Sequence, residues 1–247
     1  MHNAALAELG LAGEWTYEAI DVAPDEFDRR LREMAAGEFA GANVTVPHKG
    51  AALAAADTLA ETAREIGAAN TLSFVAGEIR ADNTDAAGLL EALPGSPRGE
   101  RALVLGAGGA ARAVVWALQR EGAEVEVWNR TELRSTHLCQ ELGGAPVRSP
   151  DQGDYGLIVN STSVGLGGED PFAQLPLRSD GFASGQVVVD MVYGEGPGPL
   201  LAAAERGGAA IVDGIEILVH QGALSLRIWT GREAPLKTML SAARHSM

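Results

Sequence analysis

Ala102-Leu103-Val104-Leu105 is a short apolar run that leads into Gly106-Ala107-Gly108-Gly109-Ala110-Ala111, a G-x-G-x-x-A turn of the kind that joins a buried strand to a helix. Such a turn brings backbone N–H groups up to a pyrophosphate at the helix N-terminus, so the segment reads as dinucleotide-binding. NAD calls for an acidic residue about 20 residues on, to take the ribose 2'-hydroxyl. Here the next strand, Glu124-Val125-Glu126-Val127-Trp128, ends instead in Asn129-Arg130-Thr131. A cation there suits a 2'-phosphate. Arg134, one turn into the following helix, brings a second guanidinium, and guanidinium groups match phosphate oxygens bidentately. The expected cofactor is NADP. The plainer reading is a glycine-rich packing turn followed by an ordinary surface arginine.

The elements around this turn follow from apolar spacing. Ala4 to Leu11 and Pro24 to Met34 carry helical spacing, with Tyr17 to Val22 a short strand between them. Asn43-Val44-Thr45-Val46-Pro47 reads as a β-branched strand stopped by proline, followed by a helix from Lys49 to Arg64. Thr71–Val75 and Glu78–Ala81 form a hairpin turned at Ala76-Gly77, which delivers the chain to Asp82-Asn83-Thr84-Asp85. Asp85 is placed to cap the next helix. Pro94-Gly95-Ser96-Pro97-Arg98-Gly99 has the turn chemistry of a connection, so a domain boundary falls near the helix before it. Beyond the fingerprint, Leu157–Asn160, Val187–Asp190 and Ala210–Asp213 are further β runs whose spacing with intervening helices implies a parallel, doubly wound sheet. Two last helices, Ile215 to Trp229 and Ala234 to Arg244, have no later strand to pack beneath and are expected to return to the first domain.

The chain has 247 residues, enough for two modest domains with a cleft between them. Its formal net charge of -14 argues against nucleic-acid and membrane-surface partners, so a bound anion must meet local cations. The single cysteine, Cys139, excludes an intramolecular disulfide and suits a reducing cytoplasm. No run approaches the ~18 consecutive apolar residues of a membrane span. His2, His137, His220 and His245 form no metal-spaced set, and no metal is expected.

Seven segments, in this order, make the chain resemble the shikimate dehydrogenase family over nearly all its length. They are Gly41-Ala42-Asn43-Val44-Thr45-Val46-Pro47-His48-Lys49, Gly67-Ala68-Ala69-Asn70-Thr71, Asp82-Asn83-Thr84-Asp85, the fingerprint with Asn129-Arg130-Thr131, Asn160-Ser161-Thr162, Asp190-Met191-Val192-Tyr193 and Gln221-Gly222-Ala223. The resemblance implies an α/β chain of two domains. A substrate and catalytic domain is built from residues 1–85 and 214–247, and a Rossmann-like NADP-binding domain from 86–213. It implies the reversible, NADPH-dependent reduction of 3-dehydroshikimate to shikimate, on small molecules, in the cytoplasm, with a homodimer as the assembly to be looked for.

The residue types suit that reaction. Hydride arriving at a ketone carbon leaves an alkoxide, which a positioned acid must protonate. Lys49 is suited to be that acid, with Asp85 to orient the ammonium and complete a relay. Taken singly, each has an ordinary alternative: a solvated lysine at a helix start, an aspartate used only as a cap. By similarity Asn43, Thr45, Asn70 and Gln221 hold substrate hydroxyls, as neutral donors and acceptors should around a polyol ring. The ordinary readings are turn chemistry for Asn70 and a strand-edge amide for Asn43. Tyr193 is placed near the substrate carboxylate or the nicotinamide, or else in the core. Gly214 and Ile217 by similarity flank the nicotinamide. His48 is expected to pack rather than to move protons.

Two departures stand against the family pattern. The family opens with a strand and a Ser-any-Ser-Pro segment before a His-Asn, whereas this chain begins Met1-His2-Asn3, which is expected to reflect a start assigned too late or a truncated protein. Gly194-Glu195-Gly196-Pro197-Gly198 is a looser and more acidic loop than the family carries. Two other readings stay open: a quinate or related cyclitol dehydrogenase, and a catalytically impaired NADP-binding regulatory protein.

Overall fold

The structure is a computed structural model and describes residues 1–194 and 196–245, so Glu195 in the acidic loop lies outside the described residues. The described residues divide into two compact units: Met1–Gly88 with 219–245, and Leu89–Leu218.

In the first unit the elements run α1 (His2–Glu8), α2 (Phe27–Ala36), β1 (Gly41–Asn43), α3 (Lys49–Ala55), β2 (Thr58–Leu59), α4 (Glu61–Ile66), β3 (Thr71–Val75), β4 (Glu78–Asp82) and the start of α5 (Asp85–Ala92). The strands form a mixed sheet in the order β1-β3-β4-β2, antiparallel except for the β2–β4 pair. Phe27, Leu31, Met34 and Ala35 make the buried stripe of α2, at the spacing of one helix face, and join Leu72, Ile79 and Ala81 in the core. The hairpin turns at Ala76-Gly77 and pairs Thr71 with Asp82, which sets Asn70 beside the chain entering α5.

Three expectations for this unit fail. Tyr17 to Val22 forms no strand; the segment is largely exposed. The strand expected over Asn43 to Pro47 lies instead at Gly41–Asn43, because after Val44 the His48 N–H turns back to the Thr45 carbonyl (2.9 Å). The single helix expected from Lys49 to Arg64 is two. Asp57 interrupts it: its N–H donates to the Ile79 carbonyl and its carboxylate accepts from the Ile79 N–H, both at 2.8 Å, which pulls Thr58–Leu59 onto β4.

The second unit runs β5 (Arg101–Leu105), α6 (Gly109–Arg120), β6 (Glu124–Trp128), α7 (Glu132–Leu142), β7 (Ala145–Pro146), β8 (Leu157–Asn160), β9 (Val187–Asp190), α8 (Pro199–Arg206) and β10 (Ala210–Val212). All are parallel, in the order β10-β9-β8-β5-β6-β7, so the winding reverses between β5 and β8. Open α/β sheets take ligands beyond the strand ends at such a reversal. The strands are continuous apolar runs because helices cover both faces of a parallel sheet. Between β8 and β9 the intervening element is only a 3-10 turn, Pro171–Ala173, where the spacing suggested a helix. The last helices are α9 (Gly214–Thr230) and α10 (Leu236–His245), and α10 packs on α1 within the first unit. Both α5 and α9 run through a division between units, which therefore falls inside helices rather than at 85 and 214.

Each unit buries a group that answers to mildly acidic pH, and the two respond in opposite senses. In the first, desolvation outweighs the bond to the Gly222 carbonyl and lowers the pKa of His2 from 6.5 to about 4. Its contribution is whole above pH ~6.5 and is lost as pH falls toward 4. In the second, desolvation outweighs bonds from Val192 and Asn160 and raises Asp190 from 3.8 to about 6. The folded state then favours the protonated acid, so stability is lost as pH rises from ~4 through 6. Shifts of this size correspond to on the order of 3 kcal/mol each. Between pH 7 and 4.5, His2→Gln is expected to blunt the acid weakening of β3 and β4. Asp190→Asn is expected to blunt the acid strengthening of β8 and β9. Hydrogen exchange of those strands reads both; profiles identical to the parent would refute the assignment.

Candidate active site

Lys49 is the first residue of α3 and Asp85 the first of α5, and Lys49 Nζ lies 2.6 Å from Asp85 Oδ2. Their side chains are only 12% and 7% exposed, so the pair is screened far less than a surface ion pair. The expected cap at Asp85 belongs to Asn83, whose Oδ1 accepts from the N–H groups of Asp85 (3.1 Å) and Ala86 (3.4 Å). This frees the Asp85 carboxylate, which sits at the favourable positive end of α5. Its second oxygen accepts from Asn70 Nδ2 at 2.9 Å. Each oxygen of Asp85 thus has its own partner.

Asn70 is buried and joins the surrounding groups. Its Nδ2 also lies 3.0 Å from Gln221 Oε1, and its Oδ1 accepts from the Thr84 N–H at 2.7 Å. Gln221 reaches this point because α5 and α9 touch at Gly88, where a Cβ would stand 2.8 Å from the Gln221 Cβ and backbone N. Asn43, at the end of β1, donates to Ser225 Oγ at 2.8 Å and accepts from the Tyr17 hydroxyl at 3.0 Å. Thr45 is exposed and, with Tyr17, Asn43 and His48, lines a cavity of about 920 Å³ in this unit. His48 does pack: its ring stacks on Phe27 at 4.5 Å and its Nε2 meets the Val22 carbonyl at 2.9 Å. Sequence reasoning missed Tyr17, Thr71, Thr84 and Ser225. Thr71 and Thr84 carried a signal in lying within two of the family segments, and Ser225 in its place one helical turn beyond Gln221.

In the second unit the fingerprint forms the β5–α6 turn. Gly106 has φ 114°, and a Cβ there would lie 3.0 Å from Ser161 Oγ at the end of β8, so only glycine suits this turn. Gly108 precedes the helix and a Cβ on it would meet nothing within 4 Å, which leaves room above the helix end. No side chain caps α6 and its first turn, from Gly109 and Ala110, holds no acidic residue. Its first N–H groups are therefore available to an anion. Asn129 donates to the Thr131 carbonyl (2.8 Å), and Thr131 precedes α7. Arg130 and Arg134 are both exposed, and among the described residues neither guanidinium has an ion-pair partner. The fit of this end of the sheet to a dinucleotide with an extra phosphate rests on these features, together with Ala107 between the two glycines.

At the ends of β8 and β9, Asn160 Nδ2 donates to Asp190 Oδ1 (2.9 Å), which also accepts from the Val192 N–H (3.1 Å). Gly214 lies against this loop, with the Met191 and Val192 carbonyls 2.9 and 2.8 Å from where its Cβ would be. Tyr193 is 42% exposed, so it is no core residue. Ile217 is one, 3% exposed in the second unit's core.

Residues 1–72 match the model of the shikimate dehydrogenase substrate binding domain, residues 89–161 that of shikimate/quinate 5-dehydrogenase, and residues 214–244 that of the shikimate 5'-dehydrogenase C-terminal domain. The shikimate dehydrogenase (NADP(+)) of Anaeromyxobacter dehalogenans is 44% identical, over 98% of this chain and 89% of its own. That of Thermus thermophilus is 43% identical over 100% and 92%. The chain belongs to the shikimate dehydrogenase family. A crystal structure of the Thermus thermophilus shikimate dehydrogenase, in complex with NADP(H) and shikimate, superposes with a TM-score of 0.91 at 42% identity, covering 100% of this chain and 93% of that one. The Lys49 and Asp85 segments through which the sequence resembles this family are thus the two helix starts that meet in the first unit, and its glycine-rich segment is the β5–α6 turn of the second. Among the described residues no helix is long and apolar enough to cross a membrane, and no three potential ligands gather to hold a metal.

Proposed function

We propose that this chain reduces 3-dehydroshikimate reversibly to shikimate with NADPH, the first unit binding the substrate and the second the cofactor. The observation that carries the reading is the largely buried Lys49–Asp85 pair set among the neutral groups of Asn43, Asn70 and Gln221. Bound NADPH supplies a hydride to the ketone carbon. Lys49, an ammonium beside the Asp85 carboxylate, gives its proton to the oxygen as negative charge develops there, and Asp85 keeps the amine aimed and ready to be reprotonated. In the oxidation direction the same amine takes the hydroxyl proton. Asn43, Thr45, Asn70 and Gln221 hold ring hydroxyls, and Tyr193 stands near the substrate carboxylate or the nicotinamide. Gly106 to Ala110 hold the pyrophosphate, Asn129, Arg130, Thr131 and Arg134 the 2'-phosphate, and Gly214 and Ile217 back the nicotinamide. A single buried cysteine, its thiol pushed up to about 11 by desolvation, suits the cytoplasm.

The test is NADPH consumption with 3-dehydroshikimate, and NADP reduction with shikimate and with quinate. Faster turnover of quinate would make the chain a quinate dehydrogenase. NADP binding without turnover of any cyclitol would leave a nucleotide-binding protein with no activity of this kind.

A further inference from the structure

The hydrogen bonds behind the acid-base pair have a direction, and Ser225 sets it. Ser225 is 0% exposed, and its Oγ donates to the Gln221 main-chain carbonyl at 3.0 Å. A hydroxyl has one proton; with it on that carbonyl, the same oxygen is an acceptor for Asn43 Nδ2 and Thr71 Oγ1, each 2.8 Å away, and Thr84 Oγ1 stands 3.3 Å off. Asn43 Nδ2 also faces Thr71 Oγ1 at 3.2 Å and the Asn70 main-chain carbonyl at 3.3 Å. That carbonyl can only accept. Turning the Asn43 amide over would set its oxygen against the carbonyl and against a serine oxygen whose proton is committed elsewhere. The NH2 group is therefore held inward, and both its hydrogens are used. Asn43 Oδ1 takes the Tyr17 hydroxyl at 3.0 Å, and its second lone pair is the hydrogen-bonding capacity left to the side chain.

We propose that Ser225 and Thr71 are positioning residues that hold Asn43 as an acceptor, so that the site requires a hydroxyl donor from the substrate at this place. Ser225 and Thr71 act through Asn43 and touch no reacting atom. The proposal rests on the reading of the first unit as the shikimate site. A ligand group that only accepts, such as an ether or a fluorine, is refused here, because Asn43 has no free N–H to offer it.

Two sets of measurements separate this from a general packing role. Thr71→Val and Ser225→Ala are each expected to raise KM for shikimate about 10-fold, with kcat and KM for NADP within about threefold, and Thr71→Ser is expected to restore KM. Unchanged KM in folded variants, or no rescue by Thr71→Ser, overturns the proposal. Calorimetric binding of two shikimate analogues, each with one non-reacting hydroxyl replaced by fluorine, reads the polarity directly. One of them is expected to bind the parent protein about 10-fold more weakly than shikimate, and the Thr71→Val/Ser225→Ala protein with a penalty of about twofold. Equal binding of shikimate and both analogues to the parent overturns the proposal. An arm free of substrate is the exchange of the Asn43 side-chain amide by NMR, expected to be slow in the parent and in Thr71→Ser and at least about 10-fold faster in Thr71→Val. If that pattern holds while the parent fails to turn over shikimate, the reaction assignment falls and the positioning role stands; fast exchange in the parent overturns the latter.

Discussion

Lys49→Ala is expected to lower kcat about 100- to 10,000-fold while the Kd for NADP stays within about twofold, because general acid-base groups act on the developing charge and not on the bound nucleotide. The geometry carries this expectation. Lys49 Nζ is 2.6 Å from Asp85 Oδ2, and Asn70 holds the other carboxylate oxygen, so the aspartate is aimed at the ammonium and at little else. Asp85→Asn keeps the shape and removes the charge, and is expected to cost turnover in the same range. If the two work as one relay, the double variant is barely worse than the poorer single one. Multiplicative losses, measured as steady-state kcat on the same preparations, would separate the two residues into independent roles. Removing Lys49 also leaves a carboxylate that is 7% exposed without its counter-charge, so thermal melting of each variant must accompany the kinetics.

Arg130→Ala and Arg134→Ala are each expected to weaken NADP binding by on the order of 10- to 100-fold and NAD binding by less than about twofold, since a charge-assisted hydrogen bond is worth roughly 1.5 to 3 kcal/mol. Both side chains are exposed and carry no competing carboxylate among the described residues, so neither must break an ion pair to meet a phosphate. Exposure also means screening. The preference for NADP should shrink as salt rises from about 0.01 to 1 M, over which the Debye length falls from ~30 to ~3 Å. Titration of both cofactors against each variant decides the matter: equal losses of NAD and NADP would show that the arginines support the loop rather than select the phosphate.

The parallel sheet was the most legible part of the fold. Leu157–Asn160 and Val187–Asp190 agree residue for residue between pattern and structure, since a strand buried on both faces must be apolar throughout. The absence of a helix before β9 is legible too, in Gly165, Gly167, Gly168, Pro171 and Pro176, which oppose a helix whatever the spacing of the strands implies. The mixed sheet was harder. Tyr17 to Val22 has strand composition without a ladder, and the Asp57 bonds that break the helix after Lys49 come from residues far along the chain. Such tertiary bonds override local propensity and leave no local mark. The site divides in the same way. Lys49, Asp85 and the arginines are rare types at telling places, whereas Thr71, Thr84 and Ser225 are common residues that matter only once folded together.

That assembly has a consequence for how the protein comes into being. The polar cluster draws Asn43, Asn70 and Thr84 from the first third of the chain but Gln221 and Ser225 from its last part, with separations of 137 residues between Thr84 and Gln221 and 182 between Asn43 and Ser225. During synthesis at ~5–20 residues per second, Asn70 and Thr71 wait on the order of 7 to 30 seconds for the helix that completes their hydrogen bonds. Over that interval the second unit, with its local parallel pairings, is made and free to fold. The nascent first unit is a sheet with an unfinished polar interior, which water must satisfy until α9 arrives. In refolding, recovery of activity is therefore expected to trail the far-ultraviolet signal of secondary structure, a lag that stopped-flow mixing with a delayed activity assay would time.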